Sequence, residues 1–121
     1  HPAGDAVLIE AARRMQAVLR PADLLARVGG EEFMAVLPGA TEAEAGLAAI
    51  ALCNAINSTP FQVPGAADPV RITISIGAVM GGGGNEDSTA ALVEKADQAL
   101  YNAKDAGRNQ VTLSPECTQA A

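Results

Sequence analysis

Two short apolar runs, residues 24–28 and 33–37, flank the four residues Gly29-Gly30-Glu31-Glu32. No other feature limits the fold as much. Short apolar runs bounded by turn residues read as strands, and a glycine pair between them predicts a β-hairpin, with Gly29-Gly30 as its turn and Glu31 and Glu32 at its tip. A surface turn needs glycine, but it does not need two adjacent carboxylates. The tip therefore asks for a chemical reason.

The rest of the chain supplies the frame. Before the hairpin, Val7, Leu8, Ala11, Ala12, Met15, Val18 and Leu19 recur at helical spacing, with Arg13, Arg14 and Gln16 on the other side. This predicts an amphipathic helix over 6–19. Pro21 closes it, because the residue before a proline is pushed out of the helical region. After Pro38-Gly39, Thr41 and Glu44 have capping-box spacing, and Leu47, Ala48, Ile50, Ala51, Ala55 and Ile56 keep the helical period. Residues 57–69 are rich in turn formers. They lead to 70–76, where Val70, Ile72, Ile74 and Ile76 alternate with Arg71, Thr73 and Ser75, the clearest strand pattern in the chain.

Residues 81–84, all glycine, predict a flexible loop, after which Asp87 or Ser88 can cap a third helix carrying Leu92, Val93, Ala96, Ala99, Leu100 and Ala103. Gly107 is its expected left-handed cap, residues 111–113 a short last strand, and the residues beyond Pro115 a frayed tail. The order is helix, hairpin, helix, strand, helix, short strand. That order predicts an α+β, ferredoxin-like antiparallel sheet with helices packed on one face. In such a fold the first strand lies in the middle, yet this chain opens on the helix that should follow it. The expectation is a partial domain over 1–114 that lacks its first central strand, with a tail at 115–121.

With 121 residues, of which 49% are hydrophobic, the chain suits one core and one domain. Its net charge of −6 disfavours unspecific binding to nucleic acid or to anionic lipid, so an anionic ligand must be met by local cations or by a metal. Cys53 and Cys117 have no CxxC spacing and no histidine cluster, and are expected to be free thiols in a reducing cytoplasm. No apolar run approaches the roughly 20 residues of a membrane helix and no signal peptide is visible, which predicts no membrane contact by this chain. Because it begins at His1 without Met, the chain is expected to be a piece of a longer protein.

Taken alone, the hairpin tip has two readings. The glycines can serve the turn while the glutamates merely solubilise it. Alternatively, the glycines let backbone N–H groups approach a phosphate, and a carboxylate beside them holds a divalent metal against the same phosphate. Opposed charges need that metal.

Several motifs in register favour the second reading. Residues 27–33, Arg-Val-Gly-Gly-Glu-Glu-Phe, resemble the signature hairpin of the GGDEF family of diguanylate cyclases, in its variant with Glu at the third position. His1-Pro2-Ala3-Gly4-Asp5 is similar to the family's GHxxGD segment without its first glycine. Ile74-Ser75-Ile76-Gly77 is similar to its SIG strand, and residues 95–109 are similar to its KADxALYxAKxxGRN helix. The resemblance extends to about Leu113.

It implies a nucleotidyl-cyclase palm-like fold and a reaction in which two GTP molecules condense into cyclic di-GMP with release of two diphosphates. It also implies Mg²⁺ or Mn²⁺, a homodimer in which each domain presents one GTP, and an upstream sensory domain in a parent protein that works in the cytoplasm, with or without a membrane anchor. By the resemblance, Glu31 matches the metal-binding acid, also described as the proton acceptor. A carboxylate held near a cation is a weak base, so the metal role is the expectation. Glu32 matches the second acid of the signature and is expected to join the metal shell, with support of the hairpin as its plainer role. Gly29 and Gly30 match the glycines under the phosphates.

Asp5 matches the residue that reads guanine: a carboxylate accepts from guanine N1–H and N2–H₂, whereas adenine N1 is an acceptor. Its plainer role is an acid at a helix N-terminus. Lys104 and Arg108 match the cations that meet the triphosphate, although basic residues also commonly decorate a helix C-terminus. His1 is expected to pack. Arg20 and Asp23 form an RxxD pattern at the spacing of the family's inhibitory product site; a local Arg–Asp pair is the alternative.

The first strand of the family carries another metal-binding acid, a lysine and a guanine-reading asparagine, and none of these lies in this chain. Three readings follow: the catalytic portion of a diguanylate cyclase, a catalytically inactive module that binds GTP or cyclic di-GMP, and a dimerisation domain that binds no nucleotide.

Overall fold

In the computed structural model, which describes residues 2–81, 89–108 and 111–113, helix α1 spans Pro2–Val18. It begins a turn earlier than the apolar stripe predicts. Pro2 explains the difference, since its fixed φ suits a first helical turn and its missing N–H falls where the helix has no acceptor to offer. Asp5 consequently stands within that first turn. The expectations for His1, the Asp87 or Ser88 cap, Cys117 and the tail, and for most of the glycine loop, lie outside the described residues.

Helix α2, Glu42–Asn57, starts as its capping box predicts. The Thr41 hydroxyl accepts from the Glu44 N–H at 3.1 Å, and the Glu44 carboxylate accepts from the Thr41 N–H at 2.9 Å. These reciprocal bonds satisfy donors that a helix start otherwise leaves open, and they hold the Glu44 carboxyl below its usual range. The inner face of α2 buries Ala49, Leu52, Cys53 and Ile56. Burial also pushes the Cys53 thiol up, away from reactivity.

Arg14 departs from the sequence pattern, which puts it with Arg13 and Gln16 on the outer side of α1. Its side chain is only 12% exposed. It reaches the C-terminal end of α2 and donates to the carbonyls of Ile56, Thr59 and Pro60 at 3.2, 2.6 and 3.2 Å. A cation is stabilised there by the carbonyls that a helix end leaves unpaired.

Strands β1, Leu24–Gly29, and β2, Glu32–Val36, form the predicted antiparallel hairpin. Its turn is one residue further along than expected, at Gly30-Glu31, because the ladder passes from Arg27↔Phe33 to Gly29↔Glu32 and leaves Val28 as an extra, bulged residue. Gly29 therefore belongs to the strand, and only Gly30 has left-handed backbone, at φ +43°. Leu25 and Phe33 on the inner face pack against a core of Ala11, Met15, Leu52, Ile56 and Phe61, which Ile72, Ile74 and Ile76 also cover.

The strand predicted over 70–76 is largely absent as a strand. Val70 makes an isolated bridge with Phe61, residues 71–75 belong to no ladder, and β3 spans Ile76–Ala78. Alternation reports which face is buried, and Ile72 and Ile74 are indeed more buried than Arg71 and Thr73. A strand additionally needs a neighbour to pair with, and no ladder among the described residues joins the hairpin to β3.

Helix α3, Thr89–Asp105, crosses from β3 to β4, Val111–Leu113, which pairs with β3 in parallel. The fold is thus α+β, with one antiparallel and one parallel strand pair. No helix among the described residues is long and apolar enough to cross a membrane.

Candidate active site

Glu31 forms part of the wall of an open cleft of about 330 Å³ whose other lining residues are Ala3, Gly4, Val7, Leu8, Val63, Val70 and Ile72. The hairpin tip and the first turn of α1 thus meet at one opening. Among the described residues Glu31 is the one ionisable side chain in that lining, and Asp5 follows directly on Gly4 in the same helical turn. Glu31, Glu32 and Asp5 are all exposed.

The local backbone explains how the tip is presented. At Gly30 the positive φ would strain any residue with a Cβ. Gly29 needs no such conformation, and a Cβ added at either glycine would meet nothing within 4 Å. The described residues give no steric reason for the first glycine. Arg27, to which the sequence assigns no role of its own, donates from Nε to the Gly30 carbonyl at 2.6 Å.

No group of three or more side chains suited to hold a metal occurs among the described residues. The exposed Glu31 carboxylate, with Glu32 next to it in sequence, still fits Mg²⁺, which is usually held by one or two carboxylates together with substrate phosphates and water. The donor set at Glu31 and Glu32 is oxygen only, as a hard cation requires.

Lys104 and Arg108 do not line the cleft. They close α3, where the Arg108 N–H donates to the Ala103 carbonyl at 3.0 Å and the Gly107 N–H to the Lys104 carbonyl at 3.3 Å. This is a Schellman cap. Gly107 has φ 127°, as its predicted role requires, but Arg108 is also left-handed at φ 64°. A side chain in that region costs roughly 1–2 kcal/mol.

Arg20 and Asp23 are bonded to each other. Arg20 Nη2 donates to Asp23 Oδ1 at 2.7 Å, Arg20 Nε to the same oxygen at 3.0 Å, and the Arg20 backbone N–H to Oδ2 at 2.8 Å. Arg20 also donates to the Pro38 carbonyl at 2.9 Å, tying the turn to the end of β2. The bonds from Arg20 hold the Asp23 carboxyl below its usual range. The Asp23 side chain is 2% exposed and that of Arg20 is 45% exposed, so only the guanidinium presents itself outward.

An α+β fold with a glycine-carboxylate hairpin beside the start of its first helix defines the palm-like class of nucleotide-cyclase domains. Residues 1–110 match the family described as diguanylate cyclase, GGDEF domain, and the chain belongs to that family. It is 39% identical over 111 residues to the response regulator PleD of Caulobacter vibrioides, covering 92% of this chain and 24% of that protein. It is 45% identical over 115 residues to the diguanylate cyclase DgcP of Pseudomonas aeruginosa, covering 94% of this chain and 16% of that protein. The chain spans less than a third of the length of these relatives.

Among solved structures, it resembles the active GGEEF domain of a diguanylate cyclase from Vibrio cholerae, with a TM-score of 0.82 and 32% identity over 94% of this chain and 70% of that one. It also resembles the GGDEF domain of DgcB from Caulobacter crescentus in complex with c-di-GMP, with a TM-score of 0.85 and 30% identity over 94% of this chain and 66% of that one.

Proposed function

We propose that this chain is the catalytic portion of a diguanylate cyclase, which joins two GTP molecules into cyclic di-GMP and releases two diphosphates. The observation that carries this reading is Glu31, which stands at the turn of an intact Gly-Gly-Glu-Glu hairpin and lines one cleft with the start of α1. Membership of the GGDEF family and the names of DgcP and the Vibrio cholerae structure support it.

In this reading the open backbone at Gly29 and Gly30 lets the phosphates approach. Glu31, with Glu32 beside it, would hold Mg²⁺ or Mn²⁺. When bound, such an ion offsets the repulsion between carboxylate and phosphate and takes up charge developing on the phosphoryl oxygens. Asp5 accepts from guanine N1–H and N2–H₂, which selects GTP over ATP. Lys104 and Arg108 meet the triphosphate from the end of α3. Each 3′-hydroxyl attacks the α-phosphate of the other GTP, the new P–O bond forms as the bond to diphosphate breaks, and two copies of the domain face each other to allow this.

Cyclic di-GMP limits its own synthesis at Arg20 and Asp23, where the exposed guanidinium of Arg20 is the group the product meets first. The domain acts in the cytoplasm, where GTP is found, under the control of an upstream sensory domain of the parent protein.

The test is to incubate the parent protein containing this chain with GTP and Mg²⁺ and to resolve the products by chromatography. Cyclic di-GMP is expected, and Glu31→Ala is expected to reduce it to background with little change in thermal midpoint. Turnover by Glu31→Ala at the parent's rate would remove Glu31 from its role. A parent that binds GTP or cyclic di-GMP without forming product would instead be a silent binding module.

A further inference from the structure

We propose that Arg27 is a positioning residue for the reaction above, fixing the Gly30–Glu31 peptide and with it the direction in which Glu31 leaves the turn. The inference rests on the proposed function and goes beyond the two carboxylates and two glycines that carry it.

The Arg27 Nε to Gly30 carbonyl bond, at 2.6 Å, is short and charge-assisted. The carbonyl of Gly30 and the N–H of Glu31 are two edges of one planar trans peptide, so holding the oxygen sends the N–H the opposite way. Without such a bond this peptide has little to orient it. Gly30 carries left-handed backbone, and glycine tolerates several alternatives at small cost. Those alternatives differ in whether a carbonyl oxygen or an N–H faces an arriving anion. A carbonyl there repels phosphate and an N–H attracts it.

The bulge at Val28 makes the bond possible, since it separates Arg27, still paired with Phe33, from the tip by an extra residue. Arg27 has no ion pair among the described residues, and its side chain is exposed, so its charge is not spent on a carboxylate elsewhere. A lysine keeps the charge but lacks the rigid fork that fixes the acceptor's direction.

The experiment compares the parent protein with Arg27→Ala and Arg27→Lys. Three quantities are read: kcat and KM for GTP, the affinity for Mn²⁺ by electron paramagnetic resonance with a non-hydrolysable GTP analogue present, and the thermal midpoint. Residues that orient a metal-binding group typically change affinity or activity by about 10–100-fold, and that loss is expected in kcat and in Mn²⁺ affinity for both variants. Partial return of both on adding millimolar guanidinium ion to Arg27→Ala is also expected, with little change in thermal midpoint.

Variants that match an active parent in kcat and Mn²⁺ affinity overturn the Arg27 assignment alone. Losses that track a fall in thermal midpoint, without rescue by guanidinium, also overturn it and leave Arg27 as a brace of the fold. A parent that neither binds Mn²⁺ nor makes cyclic di-GMP removes the functional reading, and the role of Arg27 with it.

Discussion

The guanidinium carbon of Arg14 stands 3.9 Å from the centre of the Phe61 ring while its nitrogens donate to carbonyls at the end of α2 and in the loop that follows. Phe61 is 1% exposed, so the charge lies on one of the most buried side chains of the core. The stack and the bonds together tie α1, the end of α2 and the bridge at Phe61 to one side chain. Arg14→Ala leaves the carbonyls without their donor and is expected to cost about 3.5–5 kcal/mol, from the usual range for charged hydrogen bonds plus a desolvated cation–π contact. Arg14→Lys should recover less than half of that, because an ammonium cannot form the planar stack. Urea denaturation midpoints at neutral pH give both values.

Glu10 shows how the same network responds to acid. It accepts from Arg13 at 2.9 and 2.7 Å and from Arg14 at 2.8 Å. The bonds from Arg13 and then Arg14 lower its carboxyl from 4.5 to about 2. A carboxyl that is more acidic when folded contributes stability above its unfolded value, and that contribution fades as pH falls from about 4.5 through about 2. Glu10→Gln should therefore lower the thermal midpoint at pH 7, and the gap between variant and parent should close as pH approaches 2. Salt should narrow the gap as well, because the Arg13 side of the pair is exposed. A gap that stays constant across this range would assign the acid sensitivity to other carboxylates.

The product site proposed at Arg20 and Asp23 gives a prediction that is cleanest when Arg20 is the residue changed. Asp23 is buried and satisfied by three donor groups of Arg20, so replacing it disturbs the turn as much as any ligand. Arg20→Ala keeps the Asp23 contact to the backbone N–H and removes the outward-facing guanidinium. Inhibition of the parent protein by cyclic di-GMP should then require at least about tenfold more product, the loss expected for one charged contact. Initial rates at low product should stay close to the parent's. Equal inhibition curves would leave the pair as a turn device only.

Local signals account for what the sequence made legible. The helices are written in apolar stripes, and α2 even announces its start through Thr41 and Glu44. The hairpin follows from its glycines, but the bulge at Val28 does not, because a one-residue slip depends on how the strands twist against the core. Residues 70–76 were legible as a buried and an exposed face, and illegible as a ladder, because pairing depends on which strand lies alongside. Glu31 stands out in the sequence through the motif that surrounds it, and the structure adds that it lines a cleft. Arg14 and Arg27 were missed as individuals. One is a charge turned inward and the other bonds a carbonyl three residues away, and neither act leaves a periodic trace in composition.

Gly77 carries the last prediction, which concerns how closely α3 lies on β3. A Cβ there would come within 3.0 Å of the Leu100 nitrogen, the Ala96 oxygen and the nearest backbone carbon of Ala99, all of them main-chain atoms of α3. Side chains can rotate away from a methyl group, but a helix backbone has to translate. The small residues Ala99 and Ala103, both buried, leave the helix no slack on this face. Gly77→Ala is therefore expected to destabilise the domain by about 3 kcal/mol, at the upper end of the usual cost of overpacking. With Lys104 and Arg108 in their proposed role at the triphosphate, displacing the end of α3 should also raise the KM for GTP in the parent protein. Gly46→Ala is the matched control: it lies inside α2 with nothing within 4 Å of the added methyl group. There the gain in helix propensity should stabilise the domain by about 0.5–1 kcal/mol. Denaturant midpoints that move in opposite directions for the two variants would confirm close packing at Gly77. A neutral Gly77→Ala would show that α3 rides further from the strand.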